Sequence, residues 1–126
     1  MTRYLIILIV SLISLTIGSA QNARLAQQYF QNGEYEKAAE LYADLYQSNG
    51  NNDFFFDRYF DCLLALENYD EAETVIKRQI RRNDGNVQLN VSYGTLLERL
   101  GRYEEGEEQF RAAIDNIPAD QYSVTR

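Results

Sequence analysis

GEYEKAAELYADLY, Gly33 to Tyr46, decides the fold of this chain. Its apolar residues fall at Tyr35, Ala38, Ala39, Tyr42, Leu45 and Tyr46, which is one face of an α-helix. The small Ala38 sits early on that face, and the large Tyr42 follows four residues later. The arrangement returns at Tyr69, Ala72 and Ile76, and again at Tyr103, Gly106 and Phe110. From Tyr35 to Tyr69 is 34 residues, and from Tyr69 to Tyr103 is 34 again. A fixed period of this length marks a repeat architecture, in which each unit buries its faces only by stacking on the next.

The remaining composition narrows the function. The 126 residues carry 19 acidic and 12 basic side chains and no histidine, for a net charge of -7. That balance argues against a nucleic-acid partner, which needs a basic face to displace phosphate counterions. Cys62 is the only cysteine, so the chain holds no internal disulfide and no cysteine-based zinc site. It is expected to be a small buried apolar residue.

Residues 1–20 read as an address. Arg3 gives a positive start, Tyr4 to Ile17 is almost wholly apolar, and Gly18-Ser19-Ala20 follows with small residues in its first and third places. This is the layout of a secretory signal peptide, with cleavage after Ala20. The apolar run falls short of the roughly 20 residues of a membrane-spanning helix. The rival is an uncleaved anchor, the one case in which a membrane would be a partner. Cleavage removes Arg3, leaving 11 basic and 19 acidic residues and a net charge of -8. The expected location is the periplasm, the cell envelope or the exterior.

The mature chain, from Gln21, divides into helix pairs. Helices are expected over Asn22–Gln31, Tyr35–Ser48, Asp53–Leu66, from Asn68 to Arg82, Val87–Leu100 and Tyr103–Asn116. Asn49-Gly50-Asn51-Asn52 and Asn83-Asp84-Gly85 are turn clusters, and Pro118 closes the last helix. Asn68 and Glu71 have the spacing of a capping box. No strand is expected.

The pattern resembles tandem tetratricopeptide repeats, in the register 19–52, 53–86 and 87–120. The small residue of each first helix (helix A) is Ala26 and Gly94, with Phe60 as a departure in the middle repeat. The turn glycine is Gly33 and Gly101, with Glu67 in the middle repeat, where Asn68 beside it tolerates left-handed geometry. The small residue of each second helix (helix B) is Ala38, Ala72 and Gly106; the large one is Tyr42, Ile76 and Phe110. Gly106 costs about 1 kcal/mol relative to alanine in a helix interior, which close packing would offset. The resemblance implies an all-α fold, an α-solenoid of stacked antiparallel helix pairs wound as a right-handed superhelix. Residues 121–126 read as the start of a further helix. The chain is then expected to be the front of a longer protein, or to close its array by dimerising through the last repeat.

No residue set here suits catalysis. Without histidine, a histidine-based triad or metal site is excluded, and the glycines form no phosphate loop. Glu104, Glu105, Glu107 and Glu108 are expected on the solvated start of a helix, where acidic residues are favoured. Lys77, Arg78, Arg81 and Arg82 fit a helix C-terminal end, with Glu73 and Lys77 paired one turn apart. No cofactor, metal or small-molecule substrate is expected.

Binding is the better prospect. The resemblance implies a concave groove lined by helix A side chains that takes a peptide or a partner helix. By register these are Gln27, Phe30 and Gln31; Phe54, Asp57 and Asp61; and Val91, Thr95, Glu98 and Arg99. Asp57 and Asp61 share one helix face, with Phe54 on that side. An aromatic beside two carboxylates suits a segment with an apolar anchor and a basic residue; the bland alternative is a packed phenylalanine and two hydrated carboxylates. Phe54, Phe55, Phe56, Tyr59 and Phe60 exceed what one helix face hides, so most are expected in the core and Phe54 outside it. The cationic positions by which some relatives clamp a carboxylate correspond to Ala23, Gln27, Arg58, Gln88 and Ser92, and Arg58 alone is cationic. The expectation is an exported scaffold or adaptor that catalyses nothing. Its alternative is the interaction region of a larger exported protein whose remaining part is catalytic or regulatory.

Overall fold

The computed structural model describes residues 1–119, with the backbone alone for residues 8–17; the helix start expected at 121–126 lies outside the described residues. Six α-helices follow one another, and no strand occurs among the described residues. They are α1 (Thr2–Gln31), α2 (Tyr35–Ser48), α3 (Asp53–Ala65), α4 (Tyr69–Arg82), α5 (Val87–Arg99) and α6 (Tyr103–Asp115). The chain falls into two compact units, residues 1–68 with α1 to α3 and the remainder with α4 to α6. The division lies inside the middle repeat of the sequence register, after its first helix.

Only α1 departs from its expected bounds by more than a residue. The sequence places its start at Asn22, whereas the helix begins at Thr2 and runs unbroken for 30 residues. Nothing in that stretch stops a helix: it holds no proline and a single glycine, Gly18, which costs about 1 kcal/mol. Tyr4, Leu5, Ile6 and Ile7 on its first turns are between 59% and 78% exposed. Among the described residues no helix is long and apolar enough to cross a membrane.

The three tight turns share one hydrogen-bond pattern. After α1, Gly33 N–H donates to Phe30 O and Glu34 N–H to Tyr29 O. After α3, Glu67 N–H donates to Leu64 O and Asn68 N–H to Leu63 O; after α5, Gly101 N–H donates to Glu98 O and Arg102 N–H to Leu97 O. This is the Schellman closure, which needs a left-handed residue at its centre. Gly33 and Gly101 meet that need at φ 76 each. In the middle turn Glu67 itself takes φ 56, so the expected relief by Asn68 does not occur. Asn68 is committed to the second bond of the closure instead.

Asparagine marks the other helix ends. Asn49, Asn83 and Asn116 donate their side-chain amides to Leu45 O, Gln79 O and Ala112 O at the ends of α2, α4 and α6. Asn52 and Asn86, 34 residues apart, accept from Phe54 N–H and Leu89 N–H and so cap the starts of α3 and α5.

Small residues sit where helices approach. In the first unit Ala26, Ala38, Ala39, Tyr42, Leu45 and Cys62 form the core. Tyr29, Phe30, Phe55 and Tyr59 pack against it, half-buried. Cys62 is inaccessible, and burial raises its thiol pKa to about 11, so it is an inert packing residue. In the second unit a Cβ on Gly94 would stand 2.5 Å from Phe110 Cε1, and one on Gly106 would stand 3.0 Å from Gly94 O. The two glycines therefore let α5 and α6 meet backbone to backbone, which is why Gly106 is tolerated inside a helix.

Candidate functional site

Helix α3 turns two unlike faces outward and inward. Phe56, Phe60, Cys62 and Leu63 are buried. Asp53, Phe54, Asp57 and Asp61 are on the exposed side. Their spacing explains the split, since 53, 57 and 61 recur every turn with 54 adjoining. Phe54 is 48% exposed, against 2% for Phe56 and 6% for Phe60.

Phe54 nevertheless has a seat. Its ring meets Tyr42 edge-on at 6.4 Å and Phe55 at 5.9 Å. Tyr42 in turn meets Phe30 edge-on at 6.4 Å and donates its hydroxyl to Gln27 Oε1 at 3.0 Å. The exposed ring of α3 thus rests on a row of aromatics from α2 and α1. Rings held in this way present apolar area with little freedom left to lose.

Arg58 joins the parts. Its guanidinium carbon lies 4.7 Å from the Phe30 ring centre and 5.3 Å from that of Phe54. A terminal nitrogen reaches Asp61 Oδ2 at 3.4 Å. Arg58 Nε is buried without a hydrogen-bond partner. The guanidinium, the one cation at the positions by which some relatives clamp a carboxylate, is therefore committed to two rings and one carboxylate.

Both carboxyls are held above their ordinary values. Partial burial pushes the Asp57 carboxyl above its ordinary value, and the charges of Asp61 and Asp53 push it further than Arg58 pulls it back. Partial burial likewise raises Asp61, despite the charge and hydrogen bond of Arg58. At Asp57 the neighbouring carboxylates therefore outweigh Arg58, whereas at Asp61 burial outweighs it.

Of the ten residues predicted from register, the structure brings Phe30, Phe54 and Asp61 together around Arg58. Asp57 lies one turn from Asp61 on the same side, and Gln27 lies against Tyr42. Gln31 is exposed at the end of α1. In the second unit Val91, Thr95, Glu98 and Arg99 are exposed along α5. Thr95 donates its hydroxyl to Val91 O at 2.9 Å, and the Glu98 Cγ would lie 3.2 Å from a Cβ on Gly106. The sequence reading missed Arg58 as the organiser, although its spacing of four from Phe54 and three from Asp61 signals a shared face.

A second polar centre was also only half visible. Glu73 of α4 pairs with Lys77 at 2.7 Å, as the spacing predicts, and also with Arg102 at 2.8 Å and the Tyr93 hydroxyl at 2.8 Å. Burial alone would raise the Glu73 carboxyl. Hydrogen bonds from Lys77, Arg102 and Tyr93 outweigh it and bring the pKa down to about 2. Arg102 also grips Glu105 at 2.6 Å. The centre ties α4, α5 and the turn before α6 together. Glu104, Glu105, Glu107 and Glu108 are exposed. Among the described residues no group of acidic or cysteine side chains is placed to hold a metal ion.

Helix hairpins in a 34-residue register, closed by like turns and bearing a patterned helix A face, define a helical-repeat protein. A family model described as "Anaphase-promoting complex, cyclosome, subunit 3" matches residues 7–79, and one described as "Tetratricopeptide repeat" matches residues 61–121. The chain belongs to the tetratricopeptide repeat family. No curated protein matches it in sequence. Among solved structures it is similar to the Yersinia enterocolitica type III secretion translocator chaperone SycD: TM-score 0.70, 22% identity, over 80% of this chain and 75% of that one. SycD in complex with a peptide of the translocator YopD gives TM-score 0.69 at 21% identity, over 82% and 79%. PcrH in complex with the chaperone binding region of PopB gives 0.68 at 17%, over 83% and 87%. At these identities the likeness is one of fold.

Proposed function

We propose that this chain is an exported tetratricopeptide scaffold or adaptor that catalyses nothing and takes a protein or peptide partner on its helix A faces. The partner segment carries an apolar anchor and at least one basic residue. The observation that carries this reading is Phe54: a phenylalanine 48% exposed, seated on Tyr42 and flanked by two carboxylates of raised pKa. The ring offers apolar contact area, and a cation beside it would relieve the charge that Arg58 leaves uncompensated. Fold relatives solved with peptides or binding regions of their partners support the same use of the fold. Export rests on the charged start, the apolar run and Gly18-Ser19-Ala20. The protein is then released into the periplasm, the envelope or the exterior, and a membrane is involved only if the segment is retained.

Capture from the native envelope by tagged protein tests this directly. Asp57→Lys with Asp61→Lys is expected to abolish capture while leaving the helical circular-dichroism signal intact. Undiminished capture by the folded double variant would refute the site.

A further inference from the structure

Two Asn-Gly pairs occur, Asn32-Gly33 and Asn49-Gly50, and the structure sets them apart. Asn-Gly is the dipeptide whose side-chain amide is most open to attack by the next backbone nitrogen, because glycine has no Cβ to block the approach. After Asn32 that nitrogen is held: Gly33 N–H donates to Phe30 O at 3.1 Å within the closure of α1. After Asn49 it is free: the turn is closed by Asn52 N–H to Asn49 O at 2.8 Å, and Gly50 N–H donates no hydrogen bond among the described residues. Asn49 is exposed, and residues 48–54 line an open hollow of about 710 Å³ through which water reaches the turn.

We propose that Asn49 is a deamidation site, a modification point in the α2–α3 turn. The Gly50 nitrogen attacks Asn49 Cγ and forms a new C–N bond. The Cγ–Nδ2 bond breaks, the Gly50 amide proton passes to the leaving nitrogen, and ammonia departs, leaving a succinimide. Water then opens the ring at one of its two carbonyls to give aspartate or isoaspartate. Water is consumed and ammonia released, with no oxidant or reductant.

The change has a structural consequence. Asn49 Nδ2 donates to Leu45 O at 3.1 Å and so closes α2. Deamidation replaces that donor with a carboxylate at a helix C-terminus, where negative charge is disfavoured. Isoaspartate also lengthens the main chain just ahead of Phe54. Asn83 and Asn116 close α4 and α6 in the same way but precede Asp84 and Ile117, whose side chains hinder the attack. Asn49 alone of these three combines a capping amide with a following glycine.

The test is peptide mapping by mass spectrometry of the folded full chain, aged in mildly alkaline buffer. The Asn49 peptide is expected to convert about ten-fold or more faster than the Asn32 peptide, the margin that the closure hydrogen bonds confer. In urea the two rates should converge. Gly50→Ala places a Cβ beside the attacking nitrogen and should suppress conversion at Asn49. Equal conversion of Asn32 and Asn49 in the folded protein, or undiminished conversion in Gly50→Ala, would overturn the proposal.

Discussion

The guanidinium of Arg58 lies over the ring of Phe30, 4.7 Å from its centre, and so ties α3 to α1. The tie is a cation–π contact of a kind worth about 0.5–1 kcal/mol when partly exposed, and the arginine stem adds packing. Arg58→Ala is therefore expected to lower stability by about 1–2 kcal/mol in urea unfolding. Arg58→Lys should recover only part of this, because an ammonium does not lie flat on a ring. Full recovery by lysine would show that charge alone matters.

Glu67 carries the left-handed centre of a turn that glycine fills in the two sister turns. A side chain there costs about 1–2 kcal/mol. Since Glu67 is exposed and its turn bonds are all backbone, Glu67→Gly loses nothing else. It is predicted to raise the urea midpoint, by about 1 kcal/mol of stability after the added chain entropy of glycine. A lowered midpoint would mean that the glutamate side chain has an unseen role.

Gly94 and Phe110 make the opposite case. Alanine at Gly94 would gain about 1 kcal/mol of helix propensity. Its Cβ, however, would fall 2.5 Å from Phe110 Cε1. Overpacking of this sort costs about 1–3 kcal/mol, so Gly94→Ala is expected to destabilise on balance. Phe110→Leu in the same chain should restore much of the loss, and thermal unfolding of the two singles and the double measures the coupling.

Glu73 sets a pH dependence. Its folded pKa, about 2, lies below the ordinary 4.5, so its contribution is present above about pH 4.5 and is lost as pH falls toward 2. Because Lys77 and Arg102 are partly exposed, screening reduces the effect to the order of 1 kcal/mol. Glu73→Gln should flatten this limb of the stability curve. Asp57 has the reverse sign: its raised carboxyl costs stability when ionised and is relieved as pH falls through its folded pKa. Asp57→Asn is accordingly expected to stabilise the fold at neutral pH while weakening partner capture.

Helix positions, the 34-residue register and the burial of Ala26, Ala38, Ala72 and Tyr42 were legible because each follows from periodicity and residue size. The division within α3 between buried Phe56 and exposed Phe54 was legible for the same reason. The left-handed Glu67 was not, since the register required a left-handed residue but the sequence offered Asn68 as the better candidate. The upstream reach of α1 was hidden because a signal-type apolar run is itself compatible with helix. The seat of Arg58 on Phe30 was not legible because Phe30 lies on α1, and the Glu73–Arg102 pair, 29 residues apart, is likewise a tertiary contact that no local spacing announces.

The most direct measurement is the affinity of the folded chain for two synthetic helical peptides, identical except that two lysines one turn apart beside a leucine anchor are glutamates in the second. The lysine peptide is predicted to bind the wild-type protein about ten-fold or more tightly than the glutamate peptide, and to lose that preference with Phe54→Ala and with Asp57→Lys, Asp61→Lys. Equal binding of both peptides, or a preference that survives these substitutions in folded protein, would contradict a partner face on α3.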